Sequence, residues 1–257
     1  MKLCRYTQPE SFNPQYGILE DAFISPLVDD YVLSYPLRAG EDKIPVSQVR
    51  LLAPVVPTKI VCVGRNYRDH AAELGNQMPA EPLLFLKPPS SIIASGDAIE
   101  LPALSNQVEH EGELGVVIGR IARRLDDGDN PLAYVLGYTC INDVTARDLQ
   151  RRDVQFTRAK SFDTFCPVGP AIETSLDPAN LTVTTRVNGQ VRQQAQTSAM
   201  AFSVPFIIRY ISQVMTLYPG DLIATGTPAG VSRLADGDDV EVEVEGVGVL
   251  RNNVRRA

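Results

Sequence analysis

Residues 109 to 113 read Glu109-His110-Glu111-Gly112-Glu113, three carboxylates at alternate positions, and a lone Asp143 follows in Cys140-Ile141-Asn142-Asp143-Val144. In an extended chain, side chains two apart share one face, so these acids repel one another unless a cation lies between them. The pattern therefore predicts a metal site. Oxygen donors without Cys and with little His select a hard ion, Mg²⁺, Mn²⁺ or Ca²⁺, over zinc. Such an ion acts as a Lewis acid and template. The chain supplies its own control: Glu241, Glu243 and Glu245 also alternate, but with Val242 and Val244, the half-buried strand pattern of apolar inside and charged outside. His110 and Gly112 make no such apolar face.

The other histidine, His70, stands in Gly64-Arg65-Asn66-Tyr67-Arg68-Asp69-His70-Ala71-Ala72-Glu73. On a helix His70 and Glu73 are i, i+3 neighbours, so the carboxylate can orient the imidazole and the pair can activate a water as general base. A surface histidine in a routine helical pair is the alternative. Lys87 and Lys160 each lie beside apolar runs; buried, either would need a counter-charge and could neutralise a carboxylate or a developing enolate, whereas a snorkelling surface lysine needs neither. Gly226-Thr227-Pro228-Ala229-Gly230 could wrap backbone amides around an anion. It lacks Gly-Lys-Ser/Thr and dinucleotide spacing, so it is no nucleotide loop.

Short strands must position these groups. The apolar pattern predicts strands over 59–63, 83–86, 114–118, 135–141, 181–187, 222–225 and 240–244. Asn188-Gly189 signals a hairpin. A short helix is expected over 69–74, closed by Gly75, and an amphipathic one over 203–217 with Phe206, Ile207, Tyr210, Ile211 and Val214 at helical spacing. Residues 1 to about 50 contain pieces such as Tyr31-Val32-Leu33 that suggest a few strands and one short helix, and Pro54 to Pro57 reads as a linker. The expected organisation is a small N-terminal domain, 1–53, and a catalytic domain, 54–257, in a β-rich α+β protein rather than a doubly wound sheet.

At 257 residues the chain can bury a substantial core. A net charge of -7 argues against a polyanion partner, so no nucleic acid is expected. No apolar stretch approaches the length of a membrane span and Met1 to Pro9 has no secretory apolar core. Cys4, Cys62, Cys140 and Cys166 show no paired spacing and read as reduced, mostly buried thiols of a cytoplasmic protein.

Taken together, several segments resemble the fumarylacetoacetate hydrolase family. They are Lys59 to Tyr67, His70 to Glu73, Leu84-Phe85-Leu86-Lys87-Pro88, His110-Glu111-Gly112-Glu113-Leu114, Asp143-Val144-Thr145-Ala146-Arg147-Asp148, Lys160-Ser161-Phe162-Asp163 and Thr225-Gly226-Thr227-Pro228. The resemblance implies a mixed β-sandwich roll, one divalent ion on Glu111, Glu113 and Asp143, and a His70–Glu73 base dyad. It also implies Lys160 as enolate stabiliser, and Arg65, Lys87, Arg147, Gln150 and Thr227 around a small 2-oxo acid. Glu109 is thereby reduced to a strand neighbour whose replacement should change little. A homodimer is implied as well. Because the dyad is intact, carbon–carbon cleavage of an acylpyruvate is the first expectation, with oxaloacetate decarboxylation as a second activity. A 2-hydroxyhepta-2,4-diene-1,7-dioate isomerase or decarboxylase is the enzymatic alternative, and a catalytically idle metal-binding homologue the non-enzymatic one.

Overall fold

The computed structural model describes residues 1–257 apart from 10, 33–35 and 41. Its backbone is organised by one long mixed sheet. From edge to edge the strands are Ile44–Pro45, Phe23–Pro26, Ser11–Glu20, Lys2–Gln8, Cys166–Glu173, Val135–Asn142, Gly112–Ile118, Leu222–Ala224, Ile60–Gly64 and Leu83–Lys87. A second sheet runs Gln190–Gln196, Thr182–Val187, Asp239–Val244, Gly248–Arg256 and Ala98–Leu101.

The run Leu114-Gly115-Val116-Val117-Ile118 is continuously apolar because both of its faces are covered. Leu114, Val116 and Ile118 pack with Val183, Val242, Val244 and Leu250 of the second sheet, and with Ile207, Ile208 and Ile211. Val117 points the other way and shares a core with Ile60, Cys62, Ile172, Leu222 and Leu3. Leu3 and Ile60 lie far apart in the strand order yet belong to one cluster, so a single core runs along that face of the long sheet. The sheet-rich, helix-poor architecture is the expected one. Along Asp239–Val244, Val240, Val242 and Val244 enter the core, Glu241 and Glu243 are half-buried and Glu245 beyond them is exposed, as the alternating pattern requires.

The described residues contain four α-helices: α1 (Arg68–Glu73), α2 (Arg147–Arg152), α3 (Thr157–Lys160) and α4 (Val204–Val214). The α4 helix stops three residues short of the expected end. It buries Val204, Ile207, Ile208 and Ile211, whereas Phe206 and Val214 face outward. At Asn188 and Gly189 both φ angles are positive and Val187 pairs with Gln190, the two-residue hairpin that the sequence signals.

The N-terminal part holds the few strands expected. Among the described residues its helical content is a 3₁₀ turn, Val46–Gln48, in place of a short α-helix. Tyr31 and Val32 form a turn, and Leu33 lies outside the described residues. Lys2–Gln8 pairs with Cys166–Glu173, so the first strands extend the main sheet, and Pro54, Val55 and Pro57 of the proline segment are buried. All four cysteines are free and buried. No helix among the described residues is long and apolar enough to cross a membrane.

Candidate active site

Strands Gly112–Ile118 and Val135–Asn142 are antiparallel neighbours with Gly112 opposite Asn142, so the chain just before one and just after the other lies side by side. The Asp143 amide donates to the Glu111 carbonyl at 2.8 Å, and the Glu111 amide to the Asn142 side chain at 3.0 Å. This ladder end brings Glu111, Glu113 and Asp143 together. One carboxylate oxygen from each lies within 4.8 Å of the others, and all three residues are buried.

The acids differ in what neutralises them. Asp143 accepts from Lys87 at 2.6 Å on one oxygen and from Lys160 at 2.6 Å on the other. Glu111 accepts from Lys160 at 2.8 Å and from Arg147 at 2.5 Å. Burial pushes the Glu111 carboxyl up, but Lys160 and Arg147 outweigh it and hold it below the usual carboxylate range. Among the described residues, Glu113 has no cationic side chain in ion-pair range and accepts only the Gly226 amide, at 2.7 Å. Burial, then Asp143 and Glu111, push its carboxyl well above the ordinary value. A buried carboxylate facing two others without a counter-charge fits a bound cation. The all-oxygen donor set fits a hard one.

The triad forms part of the wall of a cavity of about 330 Å³ that also meets Arg65, His70, Glu73, Phe85, Arg147, Gln150, Phe156, Lys160 and Thr227. Helix α1 presents His70, whose Nδ1 lies 3.4 Å from Glu73. The glycine-rich loop does wrap amides around anions, but the anions are the protein's own: Gly226 N–H holds Glu113, and Gly230 N–H holds Glu73 at 3.1 Å. Thr227 donates to the Gly112 carbonyl at 2.8 Å and accepts from Gln193 at 2.7 Å.

Two expected cavity residues do other work. Lys87 is buried behind Asp143, where it also reaches the Val144 carbonyl at 3.2 Å, and it does not line the cavity. Arg147 lines the wall, yet its fork is occupied by Glu109 at 2.7 Å, Glu111, and Gln150 at 2.6 Å. Glu109 is correspondingly a buried ion-pair partner, a correction to its reading as a bystander. His110 is fully buried between Gln193 at 3.1 Å and Ser232 at 2.9 Å, and burial pushes its pKa down, so it serves as a neutral strut.

Sequence reasoning missed the apolar half of the wall. Phe85 and Phe156 meet edge to face with centroids 5.6 Å apart, and the Lys160 ammonium lies 5.1 Å from the Phe85 ring centre. Nothing in their local sequence distinguishes these rings from core residues. Asn66, within the segment Lys59 to Tyr67, carries no local signal of a structural role; its side chain donates to the Thr225 carbonyl at 2.8 Å and the Phe202 carbonyl at 3.0 Å, pinning the turn that leads into α1.

Against known proteins, residues 59–255 match the family described as Fumarylacetoacetate (FAA) hydrolase C-terminal, and residues 1–54 match one described as Rv2993c-like, N-terminal. The mitochondrial oxaloacetate tautomerase Fahd2a of Rattus norvegicus is 45% identical over 230 residues, 85% of this chain and 73% of the relative. The crystal structure of a 2-hydroxyhepta-2,4-diene-1,7-dioate isomerase from Mycobacterium marinum superposes with a TM-score of 0.91 at 43% identity, covering 100% of this chain and 98% of that one. A maleylpyruvate hydrolase from Sphingobium sp. SYK-6, solved with manganese(II) and pyruvate, gives 0.82 at 31% identity with both chains covered in full.

Proposed function

Given that the chain belongs to the fumarylacetoacetate hydrolase family, we propose that it enolises a small 2-oxo acid at a divalent-metal centre, with keto–enol tautomerisation as its main reaction. The observation that carries this reading is the placement of His70, beside Glu73, in the same cavity wall as the three converged carboxylates. Glu111, Glu113 and Asp143 would hold Mg²⁺ or Mn²⁺, and the oxygen set also suits Ca²⁺. The bound ion supplies Lewis-acid stabilisation of charge on the 2-oxo oxygen.

The chain's own residues do the rest. Glu73 accepts the Nδ1 proton of His70 and leaves Nε2 as the base that removes a proton from the carbon beside the ketone. That proton returns to the carbonyl oxygen, so keto acid and enol interconvert without loss of atoms. Lys160 places a buried positive charge where the enolate's charge develops. Gln150 accepts from Arg147 through its carbonyl oxygen and keeps its amide donors for the substrate. Phe85 and Phe156 keep water from the reacting carbon.

On sequence alone the intact dyad puts water-using cleavage first, but the same base can equally shuttle a proton. The tautomerase relative and the isomerase neighbour both carry names of proton-transfer reactions, and they support the changed order. A second reading, hydrolytic cleavage of an acylpyruvate, is favoured by the likeness to the manganese- and pyruvate-bound hydrolase. The test is to supply the purified protein with Mg²⁺ or Mn²⁺ and follow two signals. One is the enol absorbance of oxaloacetate; the other is pyruvate released from acetylpyruvate and fumarylpyruvate. Enol conversion should be the faster process. Pyruvate release with oxaloacetate tautomers untouched would put cleavage in its place, and neither signal would end the enolisation reading.

A further inference from the structure

The strand Gln190–Gln196 forms an edge of the second sheet, and its side chains face outward or are half-covered except one, Gln193, which is buried. A buried amide must place its polar atoms, and this one uses all four of its hydrogen-bonding positions. Its Oε1 accepts from the Gly112 amide at 3.0 Å and from His110 Nδ1 at 3.1 Å; its Nε2 donates to Thr227 Oγ1 and to the Pro228 carbonyl, each at 2.7 Å. The Gly112 amide can only donate and the Pro228 carbonyl can only accept, so chemistry fixes the orientation of the side-chain amide. His110 must then carry its proton on Nδ1, which leaves Nε2 to accept from the Ser232 hydroxyl at 2.9 Å.

The partners of Gln193 belong to two parts of the site. Gly112 stands between Glu111 and Glu113, and both of its backbone groups are taken up: the amide by Gln193, the carbonyl by Thr227, which accepts from Gln193 in turn. Thr227 and Pro228 lie in the loop that ends at Gly230. The near end of that loop has other anchors, since Thr225 bonds the Leu114 carbonyl through its amide at 3.2 Å and its hydroxyl at 2.8 Å, and its own carbonyl accepts from Asn66. The far end has few. From Pro228 to Val231, among the described residues, two groups are hydrogen-bonded: the Pro228 carbonyl to Gln193 and the Gly230 amide to Glu73. Gly230 also rests on the carbonyl of Arg192, the chain neighbour of Gln193, which a Cβ at Gly230 would approach to 2.0 Å. Gln193 itself does not line the cavity.

We propose that Gln193 is a positioning residue for proton transfer: it sets the spacing between the backbone that carries the metal ligands and the loop that orients Glu73, and through Glu73 it aligns His70. For its reaction this role rests on the enolisation reading. Loss of Gln193 leaves each carboxylate of the triad with the groups that hold it, Lys87 and Lys160 on Asp143, Lys160 and Arg147 on Glu111, and the Gly226 amide on Glu113. The ion therefore stays, and the metal-bound end of the substrate with it, while the base loses its alignment. A misplacement of about 1 Å costs about 100-fold in rate, so the loss falls on kcat and spares KM.

The test uses Gln193→Met, which keeps the length of the side chain and loses all four bonds, and Gln193→Glu, which keeps the bonds to Gly112 and His110 and turns an oxygen toward the Pro228 carbonyl. Steady-state kinetics on oxaloacetate in the Mn²⁺-loaded protein read kcat and KM, and calorimetric titration reads Mn²⁺ binding. ¹⁵N NMR of the Mg²⁺-loaded protein reads the imidazole tautomers, and the chain has only two histidines to assign, His70 and His110. In the wild type both rings should carry the proton on Nδ1, His70 toward Glu73 and His110 toward Gln193. Both variants should lose about 100-fold in kcat with KM and Mn²⁺ affinity nearly unchanged, and the His70 signal should move to a mixture of tautomers. Gln193→Glu, with two of the four bonds intact, decides the matter if Gln193→Met does not fold. A merely structural role lowers the melting temperature and leaves kcat per Mn²⁺ site and the His70 signal unmoved; that result would overturn the proposal, as would Mn²⁺ affinity falling in step with kcat. If the wild type does not interconvert the oxaloacetate tautomers, the enolisation reading falls and the His70 signal alone decides: an unmoved signal in the variants overturns the role of Gln193.

Discussion

Glu109 and Arg147 form a buried ion pair at 2.7 Å, with side chains 8% and 2% exposed, and the same guanidinium holds Glu111 on its other arm. An acid outside the carboxylate cluster thus fixes the orientation of one inside it. Glu109→Gln should destabilise the protein. Breaking a buried pair costs about 3–5 kcal/mol, and because Glu111 keeps Arg147 partly paired, the loss should fall at or below the low end of that range. Turnover should drop about tenfold through misplacement of Glu111. Urea unfolding and steady-state rates decide; wild-type values for both would return Glu109 to the role of bystander.

Glu113 makes the opposite case. It is buried against two other carboxylates with no cation on it, so Glu113→Gln removes repulsion and should leave the metal-free protein at least as stable as the wild type. The variant should lose the stabilisation that Mn²⁺ confers, about 2.7 kcal/mol at a hundredfold excess over Kd, and all metal-dependent activity. Thermal melts with and without Mn²⁺ measure both effects. Unchanged Mn²⁺ stabilisation in the variant would remove Glu113 from the ligand set.

The loop from Gly226 to Gly230 separates two functions along its length. A Cβ on Gly226 would lie 2.6 Å from that of Asn66, and one on Gly230 only 2.0 Å from the Arg192 carbonyl, at φ +101° and +103°. Alanine at either position should cost about 1–3 kcal/mol in backbone strain before any clash is counted. Gly226→Ala disturbs the amide on Glu113 and should weaken Mn²⁺ binding. Gly230→Ala disturbs the amide on Glu73 and should lower turnover with Mn²⁺ affinity nearly intact. Identical changes in both parameters for both variants would show that the two ends are not separable.

In the proposed reaction His70 and Glu73 serve one proton-transfer step, so their effects should not multiply. Each single alanine variant should lose about 10² to 10⁴ in rate, and the double variant little more than the worse single one. Steady-state kinetics on the four proteins of the cycle test this. Multiplicative losses would separate the roles of the two residues, and full activity in His70→Ala would exclude the dyad.

Much of this was readable from residue spacing. The strands, the Asn188-Gly189 hairpin and the convergence of Glu111 and Glu113 follow from local rules. Glu109 shows where alternation fails: it tells which side a residue faces only while the strand continues. Here Val108–Glu109 pairs with Thr145–Ala146, while Gly112–Ile118 joins another ladder, and the break falls at His110 and Glu111. On α4 the wide apolar stripe does not reveal its centre: Phe206 and Val214 share the helical spacing of Ile207 and Ile211, yet they are 46% and 61% exposed. Phe85 and Phe156 are brought together by tertiary packing alone, which no local pattern encodes.

The strand order of the long sheet has a kinetic consequence. Lys2 pairs with Glu173, and Leu3 shares a core with Leu222, so the sheet is complete only when distant parts of the chain have met. Loop closure of that span must come before its contacts reward it, which makes for a slow, late step. The carboxylate cluster needs a shorter closure, from Glu111 to Asp143, within one antiparallel pair. A nascent chain can therefore gather its acids before the barrier is crossed, and during refolding a divalent ion should gain its grip earlier than the cavity that encloses it.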